Sequence, residues 1–123
     1  MKKKRILIVE DEPMTLLSEQ AMVTKLGYEV MGVALSGEVA VERAEAEKPD
    51  LVLMDIKLSG DMDGREATRK IREARQVPVI FVTALGLKEQ STALDTPPPD
   101  GIGYVVKPFT EEELASEIQR LIG

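Results

Sequence analysis

Six residues of this chain are of types that do chemistry, and each follows a short apolar run. Glu10, Asp11 and Glu12 come after Ile6–Val9, and Asp55 after Leu51–Met54. Thr83 follows Val77–Val82, and Lys107 follows Tyr104–Val106. Clustered carboxylates repel one another unless a cation lies between them. Hard oxygen ligands suit Mg²⁺, which takes one or two protein carboxylates and keeps several waters. A carboxylate held beside Mg²⁺ is also a nucleophile towards phosphorus, the product being an aspartyl phosphate. Phosphoryl transfer requires negative charge to be neutralised on the equatorial oxygens. Mg²⁺ can do this from one side and Lys107 from another, while Thr83 can donate a hydrogen bond. A donor must bring the phosphoryl group.

Composition removes other chemistries. The chain has no cysteine and no histidine, so disulfides, thiolate metal sites, the commonest general base and the commonest zinc ligand are absent. The net charge of -6 argues against direct nucleic-acid binding. Lys2-Lys3-Lys4-Arg5 reads as a solvated lead-in to the first strand. No apolar run approaches the ~18 residues of a membrane span. Ile6–Val9 is also too short for a signal-peptide core, so a cytoplasmic protein without membrane contact is expected.

Singly, each residue has a plainer role. An aspartate after a strand usually caps a helix or shapes a turn, and Asp11, just before Pro13, fits that description. Thr83 alone is a strand-end threonine, and Lys107 alone a solvated lysine. Their common position is what sets them apart. In open α/β sheets, sites form outside the carboxyl ends of the strands.

The apolar runs largely lack alternation, as strands buried on both faces do. Tyr28–Ala34 is more mixed and suits an edge strand. Helical patterns lie between the runs. Pro13–Leu26 is closed by Gly27, a C-cap signal. Ser36–Glu47 places Ala40 and Ala44 four apart, and Arg65–Ala74 places Ala67, Ile71 and Ala74 on one stripe. Leu87–Asp95 is long enough for a short helix, and Thr96–Gly101, with three prolines, forms a stiff connection after it. Thr110–Leu121 opens on a capping box, Thr110 and Glu113. Strands and helices thus alternate through one domain, 1–123, which implies a parallel sheet covered by helices on both faces with right-handed crossovers. In the glycine loop after Asp55, Asp61 and Asp63 are expected to shape the turn and cap the helix from Arg65. The segment lacks the alternating ligands and late Glu of a calcium loop.

With ILIVEDE (6–12), LVLMDIKLSGDMDG (51–64), PVIFVTA (78–84) and GYVVKPF (103–109) in this order and spacing, the chain resembles response-regulator receiver domains of two-component signalling. The resemblance spans essentially its whole length. It implies an α/β, doubly wound, flavodoxin-like fold: a five-stranded parallel sheet in the order 2-1-3-4-5 flanked by five helices. It makes Asp55 the phosphoacceptor. Asp11 becomes the direct Mg²⁺ carboxylate, Glu10 acts nearby or through water, and the backbone carbonyl of Lys57 is a further ligand. Thr83 is the switch hydroxyl, Lys107 the lysine that pairs with the phosphoryl group, and Tyr104 the aromatic that turns inward. The Lys107-Pro108 bond is expected to be cis. The implied partners are a sensor histidine kinase or phosphotransfer protein upstream and an effector protein downstream, with the chain a monomer or a weak phosphorylation-dependent dimer. Two stretches depart from the common pattern. LSGDMDG is one residue longer than usual, and DTPPPDGIG replaces an alanine- and glycine-rich helix end.

The Met1 start is read as a natural N-terminus. The end at Gly123 suits a stand-alone receiver or one excised from a longer transcription regulator or hybrid kinase. A second reading is a binding module of the same fold that does not respond to phosphate. A third is a phosphatase with an aspartyl nucleophile. That enzyme requires a second Asp two positions after the first as general acid/base, and Lys57 stands there. The expected protein is therefore not a turnover enzyme.

Overall fold

A computed structural model of the chain describes residues 3–84 and 100–123. Five strands, β1 (Arg5–Val9), β2 (Glu29–Ala34), β3 (Leu51–Asp55), β4 (Val79–Ala84) and β5 (Ile102–Lys107), form one parallel sheet in the order β2-β1-β3-β4-β5. Four helices are described: α1 (Pro13–Lys25), α2 (Gly37–Glu47), α3 (Gly64–Ala74) and α4 (Glu111–Ile122). The helix expected over Leu87–Asp95, and Thr96–Pro99 of the stiff connection, lie outside the described residues.

The non-alternating runs divide their side chains between two cores. Leu7, Val9, Val52, Met54, Val79 and Phe81 point to the face covered by Ala40 and Ala44 of α2 and Ala67 and Ile71 of α3. Ile6, Ile8, Leu51, Leu53, Ile80 and Val82 point to the opposite face, against Val23 of α1 and Leu114 and Ile118 of α4. Burying such a side chain fully is worth about 2 kcal/mol, so the central strands are the most firmly held part of the chain. β3 lies between β1 and β4, and all five of its residues are buried.

Several boundaries move, each for a local reason. β4 begins at Val79, two residues later than its apolar run. Pro78 cannot donate to a ladder, and only its carbonyl is used, accepting from Val52 N at 3.0 Å. α3 begins at Gly64, one residue before the expected Arg65, because Asp63 caps it by accepting from Glu66 N. Its buried stripe includes Thr68, and Ala74 is exposed. The α1 cap is Glu12, which accepts from Met14 N and Thr15 N, not Asp11. Gly27 follows that helix at φ 96°, and both halves of the Thr110–Glu113 box are formed. The Lys107-Pro108 bond is cis.

Candidate phosphoacceptor site

β1, β3, β4 and β5 run parallel, so their carboxyl ends reach one edge. The residues singled out by type meet there. Glu10, just past β1, is completely buried. One of its carboxylate oxygens accepts from Glu12 N at 3.1 Å and the other faces Lys107 Nζ at 3.3 Å. Asp55, the last residue of β3, is 6% exposed, and its Oδ1 lies 3.8 Å from Lys107 Nζ. Carboxylate oxygens of Glu10, Asp11 and Asp55 all come within 4.8 Å of one another.

Charge at the site follows from burial and from this crowding. Burial, then the neighbouring Glu10, pushes the Asp55 carboxyl well above the ordinary range, and Lys107 opposes them. For Lys107 burial works downward, but Asp55 and Glu10 outweigh it and the ammonium is held more firmly than usual. Asp11 moves the other way. Ser59 donates to its Oδ2 from Oγ at 2.6 Å and from the backbone N–H at 2.9 Å, and these bonds lower its pKa.

Three acids facing one lysine leave negative charge uncompensated, and their donor atoms are all hard oxygens. The set fits a divalent cation of the Mg²⁺ type. Asp61 is exposed and outside this set, and Asp63 is spent on its cap. The Lys57 side chain is exposed, while its backbone N–H works to lower the Asp55 pKa. Thr83 is buried at the same edge, its hydroxyl donating to Ala84 O at 3.1 Å. Tyr104 is half-buried and stacks on Phe81, ring centroids 5.6 Å apart. Burial raises its phenol pKa.

A family model, the response regulator receiver domain, matches residues 6–119. The chain belongs to this family. Receiver domains bind Mg²⁺ at an acidic pocket and are generally signalling domains, not turnover enzymes. This receiver is 37% identical over 117 residues to the transcriptional regulatory protein PdtaR of Mycobacterium tuberculosis H37Rv, an alignment covering 94% of the chain and 55% of the relative. The chain thus spans about half the length of that curated relative. Its fold matches the solution structure of the Erythrobacter litoralis PhyR receiver domain with a TM-score of 0.85 and 35% identity, over 99% of this chain and 92% of that one. It also matches the receiver domain of the sensor histidine kinase PA1611 of Pseudomonas aeruginosa, with a TM-score of 0.83 and 37% identity over 98% of each chain. That neighbour holds a magnesium ion in its active-site cleft.

Residue type and position were enough to single out Glu10, Asp11, Asp55, Thr83 and Lys107, which the fold brings to one edge. Three further residues were not singled out. Ser59 carries no signal in the sequence beyond its place in the loop that follows Asp55. Gly64 looked like a turn residue, but a Cβ there would strike the backbone carbonyl of Asp55. Glu19 interrupts the apolar face of α1 four residues before Val23. It is 2% exposed, and neither carboxylate oxygen has a hydrogen-bond partner among the described residues. Burial, then Glu10, raises its pKa to about 8.

Proposed function

We propose that this receiver accepts a phosphoryl group on Asp55 and changes its binding to an effector protein in that state. The observation that carries the reading is the placement of Lys107 Nζ, 3.3 Å from Glu10 and 3.8 Å from Asp55, at the edge where Asp11 and Thr83 also end. A carboxylate oxygen of Asp55 attacks phosphorus, and the bond from phosphorus to the donor breaks. The donor is a phosphorylated histidine of a sensor kinase or phosphotransfer protein. Lys107 exchanges part of its contact with the carboxylates for a phosphoryl oxygen. Thr83 gives up Ala84 O and turns its hydroxyl towards the new charge of roughly -1.5 to -2. Tyr104, on the strand that carries Lys107, then changes its packing against Phe81 and alters the surface offered to the effector.

Asp11, Asp55, Glu10 and the backbone carbonyl of Lys57 would hold Mg²⁺. When bound, the ion supplies neutralisation of the phosphoryl charge. The chain acts in the cytoplasm by protein contacts, without binding nucleic acid or membrane, as a monomer or weak phosphorylation-dependent dimer. Among the described residues no helix is long and apolar enough to cross a membrane.

The test is incubation with Mg²⁺ and a small-molecule phosphodonor, followed by intact mass. The expected result is one added phosphoryl group, absent in Asp55→Asn and in EDTA. No added mass in the wild type, or an equal gain in Asp55→Asn, would overturn the proposal.

A further inference from the structure

An open sheet ends in two strands whose outward N–H and C=O groups have no neighbouring strand. Among the described residues those strands are β2 and β5. In a parallel strand, alternate residues turn their backbone groups to the same side. Gly101 O receives Val79 N of β4, so Ile102 and Tyr104 present their backbone groups to the open side. Both are met from α4. Arg120 Nη2 donates to Ile102 O at 3.1 Å, and Glu117 Oε2 accepts from Tyr104 N at 3.0 Å. The two side chains also bond each other, Nε to Oε1 at 3.1 Å and Nη2 to Oε2 at 3.0 Å.

The opposite edge has the same design. Ala34 O receives Glu10 N, so Val33 faces outward on β2. Val33 O accepts from Arg43 Nη1 of α2 at 3.1 Å, and Arg43 Nε is bonded to Glu47 at 2.7 Å. Each pair crosses a glycine in its strand. A Cβ on Gly32 would run into the Arg43 guanidinium, and one on Gly103 into Glu117 and Arg120. Glycine weakens a strand interior and marks places where another group approaches closely. An ion pair of this local spacing is worth little when exposed, so stability gives little reason to repeat the arrangement at both edges.

We infer that the Arg43–Glu47 and Glu117–Arg120 pairs are edge guards, which engage Val33 O on β2 and Ile102 O and Tyr104 N on β5 and keep a second copy of this chain from extending the sheet. An incoming strand would have to displace a carbonyl-bound guanidinium at either edge and leave charged groups desolvated beneath it. That is a built-in penalty against the wrong pairing.

The test compares Arg43→Ala/Arg120→Ala with wild type and with Arg69→Ala. Arg69 pairs with Glu73 on α3, away from either edge. Sedimentation velocity is run over a concentration series at low and high salt. Circular dichroism verifies folding. The expected result is self-association at least ~tenfold tighter in the double variant alone, and greatest at high salt, where the net repulsion of the chain is screened. Arg43→Lys/Arg120→Lys, which keeps the charge, is carried in parallel should the alanine pair fail to fold. A folded double variant that associates no more than wild type would overturn the inference. So would equal association in Arg69→Ala. Loss of folding in both double variants would assign these contacts to fold stability and overturn it equally.

Discussion

Gly64 lies so close to the backbone carbonyl of Asp55 that no side chain fits between them. Its N–H also donates to Ile56 O at 2.8 Å. The start of α3 is thereby pressed onto the strand end that carries the acceptor, and the glycine loop folds back over it. Gly64→Ala must move one of two backbone segments. A loss of about 1–3 kcal/mol is expected in urea unfolding, with slower phosphorylation of the folded fraction. Unchanged stability would show that this contact relaxes freely.

Lys107 is the one cation paired with Glu10 and Asp55 among the described residues. Lys107→Met leaves those two carboxyls facing each other. In EDTA the variant should lose about 1–3 kcal/mol at neutral pH, a figure reduced for the partial exposure of the lysine. Titrating Mg²⁺ should restore more stability to the variant than it adds to the wild type, read as the shift in Tm. A variant as stable as wild type in EDTA would contradict the charge balance drawn here.

Glu19 supplies a pH dependence of known sign. Its pKa rises from 4.5 to about 8 on folding, so between those values the folded chain keeps a proton that the unfolded chain has released. Its contribution is complete below about pH 4.5 and is lost as the pH rises towards 8. Asp55, also raised, adds slope in the same direction. In EDTA, denaturant stability of the wild type should fall from pH 5 to pH 8. Glu19→Met should flatten that fall and gain up to roughly 4 kcal/mol at pH 8. An unchanged slope in the variant would place the titrating group elsewhere.

Met14 and Leu17 are exposed on α1, at 72% and 61%, and Met14 lines a groove with Lys107, Pro108 and Phe109. A protein donor delivering to Asp55 would cover this groove, whereas a small donor would not. Met14→Asp should slow phosphorylation by a cognate kinase by about tenfold or more and leave the rate with a small phosphodonor unchanged. Equal loss with both donors would mean that the substitution damages the site itself.

Much of this protein is legible in one dimension. Apolar runs without alternation, separated by helical periods, require a parallel sheet covered on both faces, because every strand side chain must find apolar cover. That sheet carries the end of each run to one edge, so the types of Asp55, Thr83 and Lys107 already point to the proposed chemistry. The caps follow likewise, since Thr110 and Glu113 act across three residues.

Tertiary structure decided what depends on distance between segments far apart in the chain. Whether Asp11 capped α1 turned on packing: Ser59, 48 residues away, holds its carboxylate, and Glu12 takes the cap. Gly64 and Gly103 are turn or strand glycines until a backbone carbonyl or a carboxylate is found where a Cβ would stand. Glu19 is an ordinary helix glutamate until packing encloses it, without a partner among the described residues. In each case the cost comes from what is excluded at that point, water or a side chain, and only the folded chain defines that.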